Sequence, residues 1–194
     1  MDVFHISRTD SLTLGDEIKL QKIEESKVNR FSDILFPNGV SQHGFYYTAD
    51  LTYDINSSNN SIVEFEKLKN SFASSQIEYN FEMVRKAFFP DLPSRFSSLF
   101  ALENLEDIFR WPELLFPGSK IYKLNIDKEP DSFDSKLLAG GLGLTNSKAI
   151  FYPMTNFEQA YKYWNKELSE QPRKELLIDL EKTKVIVSEE FRLG

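Results

Sequence analysis

The sequence predicts an α+β fold, and three observations predict it. Strand-like segments stand at both ends of the chain, "DVFHIS" at 2–7 and "RKELLIDL" followed by "KTKVIV" after 172. Helical periodicity crowds the interval from 57 to 89. No regular strand–helix–strand alternation runs through the chain, as a doubly wound parallel sheet would require. The 194 residues suit one domain, residues 1–194, large enough to bury a core without disulfides or metal.

Taken in order, the opening strand is followed by "RTDSLTLGDEIKL", in which Gly15 and Asp16 signal a turn before another extended piece. Residues 22–36 read as helix or loop, and "FPNGVSQHG" reads as a turn-rich connection that leaves His43 in a loop. Ser57 or Ser58 is placed to cap a helix whose Ile62, Phe65, Leu68 and Phe72 share one face. A second helical pattern covers 77–89, stopped by Pro90 and Pro93, and the two helices are expected to pack together. "SRFSSLFAL" at 94–102 reads as a strand, "ENLEDIFRW" as a short helix and "SKIYKLNID" at 119–127 as a strand after the "FPG" turn. Gly140, Gly141 and Gly143 fit neither a dinucleotide fingerprint nor a P-loop, so a mobile loop is expected there. Thr155 or Asn156 is placed to cap a helix with Phe157, Tyr161, Trp164 and Leu168 on one face.

Composition excludes several functions. A net charge of −7, from 30 acidic and 23 basic residues, disfavours a sequence-independent grip on nucleic acid. No Cys is present, which removes thiolate nucleophiles and cysteine zinc sites, and the two His lack metal-ligand spacing, so no metal is expected. No basic leader precedes an apolar run, and no apolar stretch reaches the ~18 residues of a membrane span, so a soluble cytoplasmic protein is expected. The 17 Phe and 8 Tyr are read first as core, with some rings available to line a pocket.

His5 is a polar residue inside a strand, and four roles suit it: packed core histidine, metal ligand, general base, or a hydrogen-bonding clamp for a sugar. Ser97 and Ser98 in the middle strand and Glu175 at the start of a late strand are the other groups that could meet it over one cleft. Each also has a structural reading, Glu175 as part of a solvated charge cluster with Arg173 and Lys174.

The opening "FHISR", the segment "PSRFSSLFAL" and the ending "AYKYWNKE" with "RKELLIDLEKTKVIV" resemble a family of uncharacterised bacterial and phage proteins similar to the ADP-ribosyltransferase-like superfamily. The resemblance implies a split sheet of mainly antiparallel strands with flanking helices, and NAD as co-substrate. It casts His5 as the clamp on the NAD ribose, Ser97 or Ser98 as the second-strand contact and Glu175 as the acid. Arg8 or Arg95 would neutralise the pyrophosphate, for which a guanidinium fork is well shaped. The chain departs from the His-Tyr-Glu pattern, because no Tyr lies in "SRFSSLFAL" and Phe96 or Phe100 would have to supply the ring.

Breaking the nicotinamide–ribose bond passes through an oxocarbenium-like sugar, and a carboxylate beside it stabilises charge present mainly in the transition state. The leading expectation is therefore transfer of ADP-ribose to a protein or nucleic-acid acceptor. The alternative is a catalytically inactive module that binds nucleotide or protein on the same fold, in phage and host conflict. A third reading, an RNA 2′-phosphotransferase, is disfavoured by the acidic charge.

Overall fold

The computed structural model describes residues 1–7, 12–22, 30–48, 61–111, 115, 118–139, 142–144, 149–151 and 153–191. Its first half runs β1 (Asp2–Ser7), β2 (Glu17–Ile18), α1 (Arg30–Leu35), α2 (Gln42–Thr48), α3 (Ser61–Phe88), β3 (Ser98–Ala101) and α4 (Leu105–Arg110). The second half runs β4 (Lys120–Ile126), β5 (Asp131–Asp134), a 3-10 turn at Ser135–Leu137, β6 (Leu142–Leu144), β7 (Ala149–Phe151), α5 (Pro153–Trp164), β8 (Lys174–Asp179) and β9 (Val185–Phe191). The architecture is α+β, and among the described residues every strand pairing is antiparallel.

Two sheets carry the fold, one ordered β1-β4-β9-β2 and the other β3-β8-β5, with β6 and β7 forming a separate hairpin. Strand alternation sends Val3, Tyr122, Leu124, Ile126, Val185 and Val187 from the first sheet against Leu99, Ala101, Leu176 and Ile178 from the second, in one buried cluster. The other face of the second sheet offers Leu177 and Phe133, which α3 and α5 cover with Phe81, Val84, Ala160, Tyr163 and Trp164. The second sheet is thus apolar on both faces, and each buried aliphatic or aromatic side chain there contributes about 1.5–3 kcal/mol.

Among the described residues, the backbones of the two sheets pair at one bridge, where Phe4 and Leu102 exchange hydrogen bonds of 2.9 and 2.7 Å. Continued antiparallel pairing would next set Ile6 opposite Phe100. Instead the His5 ring enters, and its Nδ1 donates to the Phe100 carbonyl oxygen at 2.7 Å.

Several expectations are met: β1, the Gly15 turn at φ +87°, β4, β8, β9 and α4 lie where the sequence places them. Others are corrected. The two helices expected between 57 and 89 are one helix of 28 residues, because the polar "SFASSQ" run contains nothing that breaks a helix. Ser57 and Ser58 lie outside the described residues, as do the side chains of Ile62, Phe65, Leu68 and Phe72. His43 belongs to α2 rather than a loop, since Ser41 Oγ accepts from Gly44 N at 3.1 Å and caps the helix. The strand expected at 94–102 shortens to β3. β5 is an additional strand. Part of the glycine-rich stretch forms the β6–β7 hairpin, with Gly140 and Gly141 outside the described residues.

α5 begins at Pro153, a residue suited to a first helical turn, so Asn156 is not its cap. Asn156 is instead buried, accepting from Asn80 Nδ2 and donating to the Ala139 carbonyl, both at 2.7 Å. The buried face of α5 is Asn156, Ala160, Tyr163 and Trp164, whereas Tyr161 and Leu168 are exposed. Among the described residues, no helix is long and apolar enough to cross a membrane.

Candidate functional site

The polar centre of the molecule is Arg95, which lies between the end of α3 and the start of β3 and is buried. Its Nε and Nη2 donate to the two carboxylate oxygens of Glu78 at 2.9 and 3.0 Å. Its Nη1 donates to Tyr163 Oη and to Glu175 Oε1, both at 2.7 Å. Tyr163 in turn donates to the same Glu175 oxygen at 2.8 Å, which closes a triangle of three groups. The guanidinium also lies 4.6 Å from the Phe100 ring centroid and 5.4 Å from that of Tyr163.

Each partner is placed by its own element. Glu78 comes from α3, Tyr163 from the last turn of α5 and Glu175 from the second residue of β8. Entry into β8 is fixed by buried Asp134, whose Oδ1 accepts from the Arg173 and Lys136 amides at 2.8 and 3.0 Å and whose Oδ2 accepts from Ser169 N at 2.8 Å. Burial pushes the Asp134 carboxyl up, but hydrogen bonding, from Ser169 foremost and then from the Arg173 and Lys136 amides, outweighs it and lowers its pKa from the ordinary value.

The same competition runs through the cluster. Burial alone would raise Glu78, yet Arg95 and then His43 hold it well below the usual carboxylate range. Burial would lower Arg95, but Glu78 foremost keeps it above its ordinary value. Burial, assisted by Glu175, raises Tyr163 and keeps its proton in place. His43 Nε2 approaches Glu78 Oε1 at 3.3 Å, its ring against Phe100 and Tyr47.

The expected site is brought together only in part. Arg95 and Glu175 meet directly, but as mutual partners, so the Arg95 fork is already occupied by side chains of this protein. Glu175 alternates with the inward Leu176 and Ile178, and therefore faces α3 and α5 together with Leu177 and Phe133. His5 shares its face of β1 with Val3 and sits opposite Tyr122, so it faces the space between the sheets. The imidazole and the carboxylate thus lie on opposite faces of the β3–β8 pair, and the expected convergence over one cleft is not what this fold gives.

Ser97 and Ser98 are buried at the start of β3, and Ser98 pairs with Asp179 at the far end of β8 from Glu175. Asp179 stands four residue steps along β8 from Glu175, about 13 Å at the usual rise. Ser98 Oγ has no hydrogen-bond partner among the described residues. Arg8 lies outside the described residues. Among the described residues, no group of three or more potential ligands is placed to hold a metal ion.

Two groups that sequence reasoning missed, Glu78 and Tyr163, complete the cluster. The available signal was weak: charged residues Glu78, Glu82 and Arg85 recur at four- and three-residue spacing beside the apolar Ile77, Phe81 and Val84, which places them against the buried side of α3.

The geometry defines an α+β protein with two antiparallel sheets and a buried ionic cluster in which Glu175 and His43 keep partial exposure, 14% and 28%. The chain belongs to the family described as protein of unknown function (DUF2441), whose model matches residues 3–190. No curated protein matches it.

Proposed function

We propose that the chain is an ADP-ribosyltransferase-like domain that uses NAD as co-substrate and transfers ADP-ribose to a macromolecular acceptor, with Glu175 as the carboxylate beside the reacting sugar. Two antiparallel sheets joined at the Phe4–Leu102 bridge and flanked by helices support the fold side of this reading. The observation that carries the activity is the condition of Glu175. Its Oε1 is fixed by Arg95 and Tyr163, no hydrogen bond reaches its Oε2 among the described residues, and its side chain keeps 14% exposure.

In the reaction the bond between ribose C1′ and the nicotinamide nitrogen breaks, and its electron pair leaves with the nitrogen, quenching the pyridinium charge. Positive charge then rests on the sugar, which a carboxylate oxygen held close by stabilises. A lone pair of the acceptor forms the new bond to C1′, and the acceptor's proton passes to solvent. His5 takes no part beside Glu175 in this scheme, and Arg95 acts on the carboxylate rather than on the pyrophosphate.

The test is to incubate the protein with NAD and candidate acceptors and follow nicotinamide release, for wild type and Glu175→Ala. Release that vanishes in the variant supports the reading. No release, together with no NAD binding by calorimetry, overturns it in favour of a catalytically silent module that binds nucleotide or protein on the same fold. A specific observation favours that second reading: His5, the expected ribose clamp, faces the inter-sheet core, away from Glu175.

A further inference from the structure

We infer that Tyr163 is a positioning residue that sets which oxygen of Glu175 faces the substrate, an inference that rests on the transferase reading above. A carboxylate at the end of a glutamate side chain rotates freely unless it is held. Here Oε1 is held from two directions, by Tyr163 Oη–H at 2.8 Å and Arg95 Nη1 at 2.7 Å, which leaves Oε2 as the oxygen without a hydrogen bond among the described residues.

The tyrosine suits this task because its own ring is buried among three others. It stacks on Phe133 at 4.7 Å and 17°, and meets Trp164 and Phe81 edge-on at 4.8 and 5.4 Å. Phe133 is the residue paired with Glu175 across β5 and β8, so the stack that fixes the ring is tied to the strand position of the carboxylate. Trp164 is anchored in turn by its indole N–H, which donates to the Phe81 carbonyl at 2.7 Å. Arg95 supplies the second hold but is itself clamped at two points by Glu78, so its direction is fixed too. The hydroxyl both accepts from Arg95 and donates to Glu175, and removing it alone leaves the charge balance of the cluster unchanged. A group misplaced by about 1 Å at a reacting centre costs up to about 100-fold in rate.

The experiment compares wild type with Tyr163→Phe in the nicotinamide-release assay with NAD, at a temperature where circular dichroism shows the variant fully folded. The expected result is a fall in kcat of about 10- to 100-fold with KM within about twofold, because the lost interaction orients the carboxylate rather than binding NAD. The melting temperature is expected to fall by about 4–8 °C, the scale of the two hydrogen bonds the hydroxyl makes in a chain of this size. An unchanged kcat in an active, folded variant overturns the positioning role and leaves the transferase reading standing. A rise in KM that accounts for the whole loss overturns it as well, by assigning Tyr163 to binding. Absence of release by the wild type removes the transferase reading and this inference together.

Discussion

Glu78 and Arg95 meet as a two-point pair inside the protein, Nε to one oxygen at 2.9 Å and Nη2 to the other at 3.0 Å, with both side chains almost sealed from solvent at 7% and 4% exposure. Such a pair is costly to assemble and more costly to break, since either partner alone is an uncompensated buried charge. Arg95 also joins α3 to α5 and β8 through Tyr163 and Glu175, so its orientation is shared by three elements.

Glu78→Gln is therefore expected to destabilise the fold by about 3–5 kcal/mol, read as the shift in a urea unfolding midpoint at unchanged slope. The pH dependence follows from the direction of the Glu78 shift. Its carboxyl titrates lower in the folded protein than in the unfolded chain, so the unfolded state binds more protons as the solution is acidified. The Glu78 contribution is complete above the unfolded carboxylate value of about 4.3 and is lost as pH falls below it. Wild-type stability should decline steeply below about pH 4, and the Glu78→Gln variant should lose this part of the decline. An equal acid dependence in both proteins would show that Glu78 is not the group responsible.

Gly44 gives a steric prediction. A Cβ at this position in α2 would run into the Phe96 carbonyl oxygen and lie 2.9 Å from Val40 Cβ. The collision is chiefly with backbone, which cannot rotate away as a long side chain can. Gly44→Ala is expected to lose about 1–3 kcal/mol through displacement of α2 from the lead into β3, despite the better helix propensity of alanine. Thermal unfolding of the variant with a melting temperature at or above wild type would contradict this packing.

Much of this fold is legible from the sequence, and the exceptions have physical causes. β4 announces itself through "KIYKLNI" because its residues alternate between two environments. "ELLID" in β8 identifies a strand but not which way Glu175 points, since Leu176, Leu177 and Ile178 are buried on both faces of a doubly covered sheet. That parity decides whether His5 and Glu175 meet, and no periodicity carries it. β5 is not legible because "DSFD" holds a polar residue in the interior: Asp134 is buried by bonding the Ser169 and Arg173 amides, 35 and 39 residues away. The Arg95 partners lie 17, 68 and 80 residues away, separations over which only the finished fold associates them.

Lys166 carries the one positive φ among the described non-glycine residues, +59°. It follows the last turn of α5, where its amide donates to the Tyr163 carbonyl and the Glu167 amide to that of Lys162, both at 3.0 Å, the paired closure that favours glycine. Its ammonium bonds Asp131 at 2.6 Å. Relief of the left-handed strain is worth about 1–2 kcal/mol, and the exposed ion pair and the added chain entropy of glycine each offset up to about 1 kcal/mol. Lys166→Gly is thus expected to leave stability within about 1 kcal/mol of wild type, whereas Lys166→Val, branched at Cβ, should lose about 1–2 kcal/mol. Equal losses in both would mean the ion pair, not the backbone, governs the position.

His5 separates a structural role from a binding one. Its Nδ1 must carry the proton to donate to the Phe100 carbonyl, and that bond occupies the point where β1 and β3 part. His5→Ala leaves the carbonyl unpartnered and is expected to cost about 1–3 kcal/mol, with His5→Asn losing less because its amide returns a donor near the same place. Burial lowers the pKa of the imidazole, and the Phe100 bond offsets this only in part. The unfolded chain therefore takes up a proton first as pH falls, so the stabilisation is complete above about 6.5 and shrinks below it. The stability difference between wild type and His5→Asn should narrow between about pH 6.5 and 5, a trend that denaturant titrations at several pH values would reveal. Calorimetry with NAD supplies the contrast: affinity unchanged in His5→Asn accords with a wedge between sheets, while a large loss of affinity at wild-type stability would return His5 to the ribose.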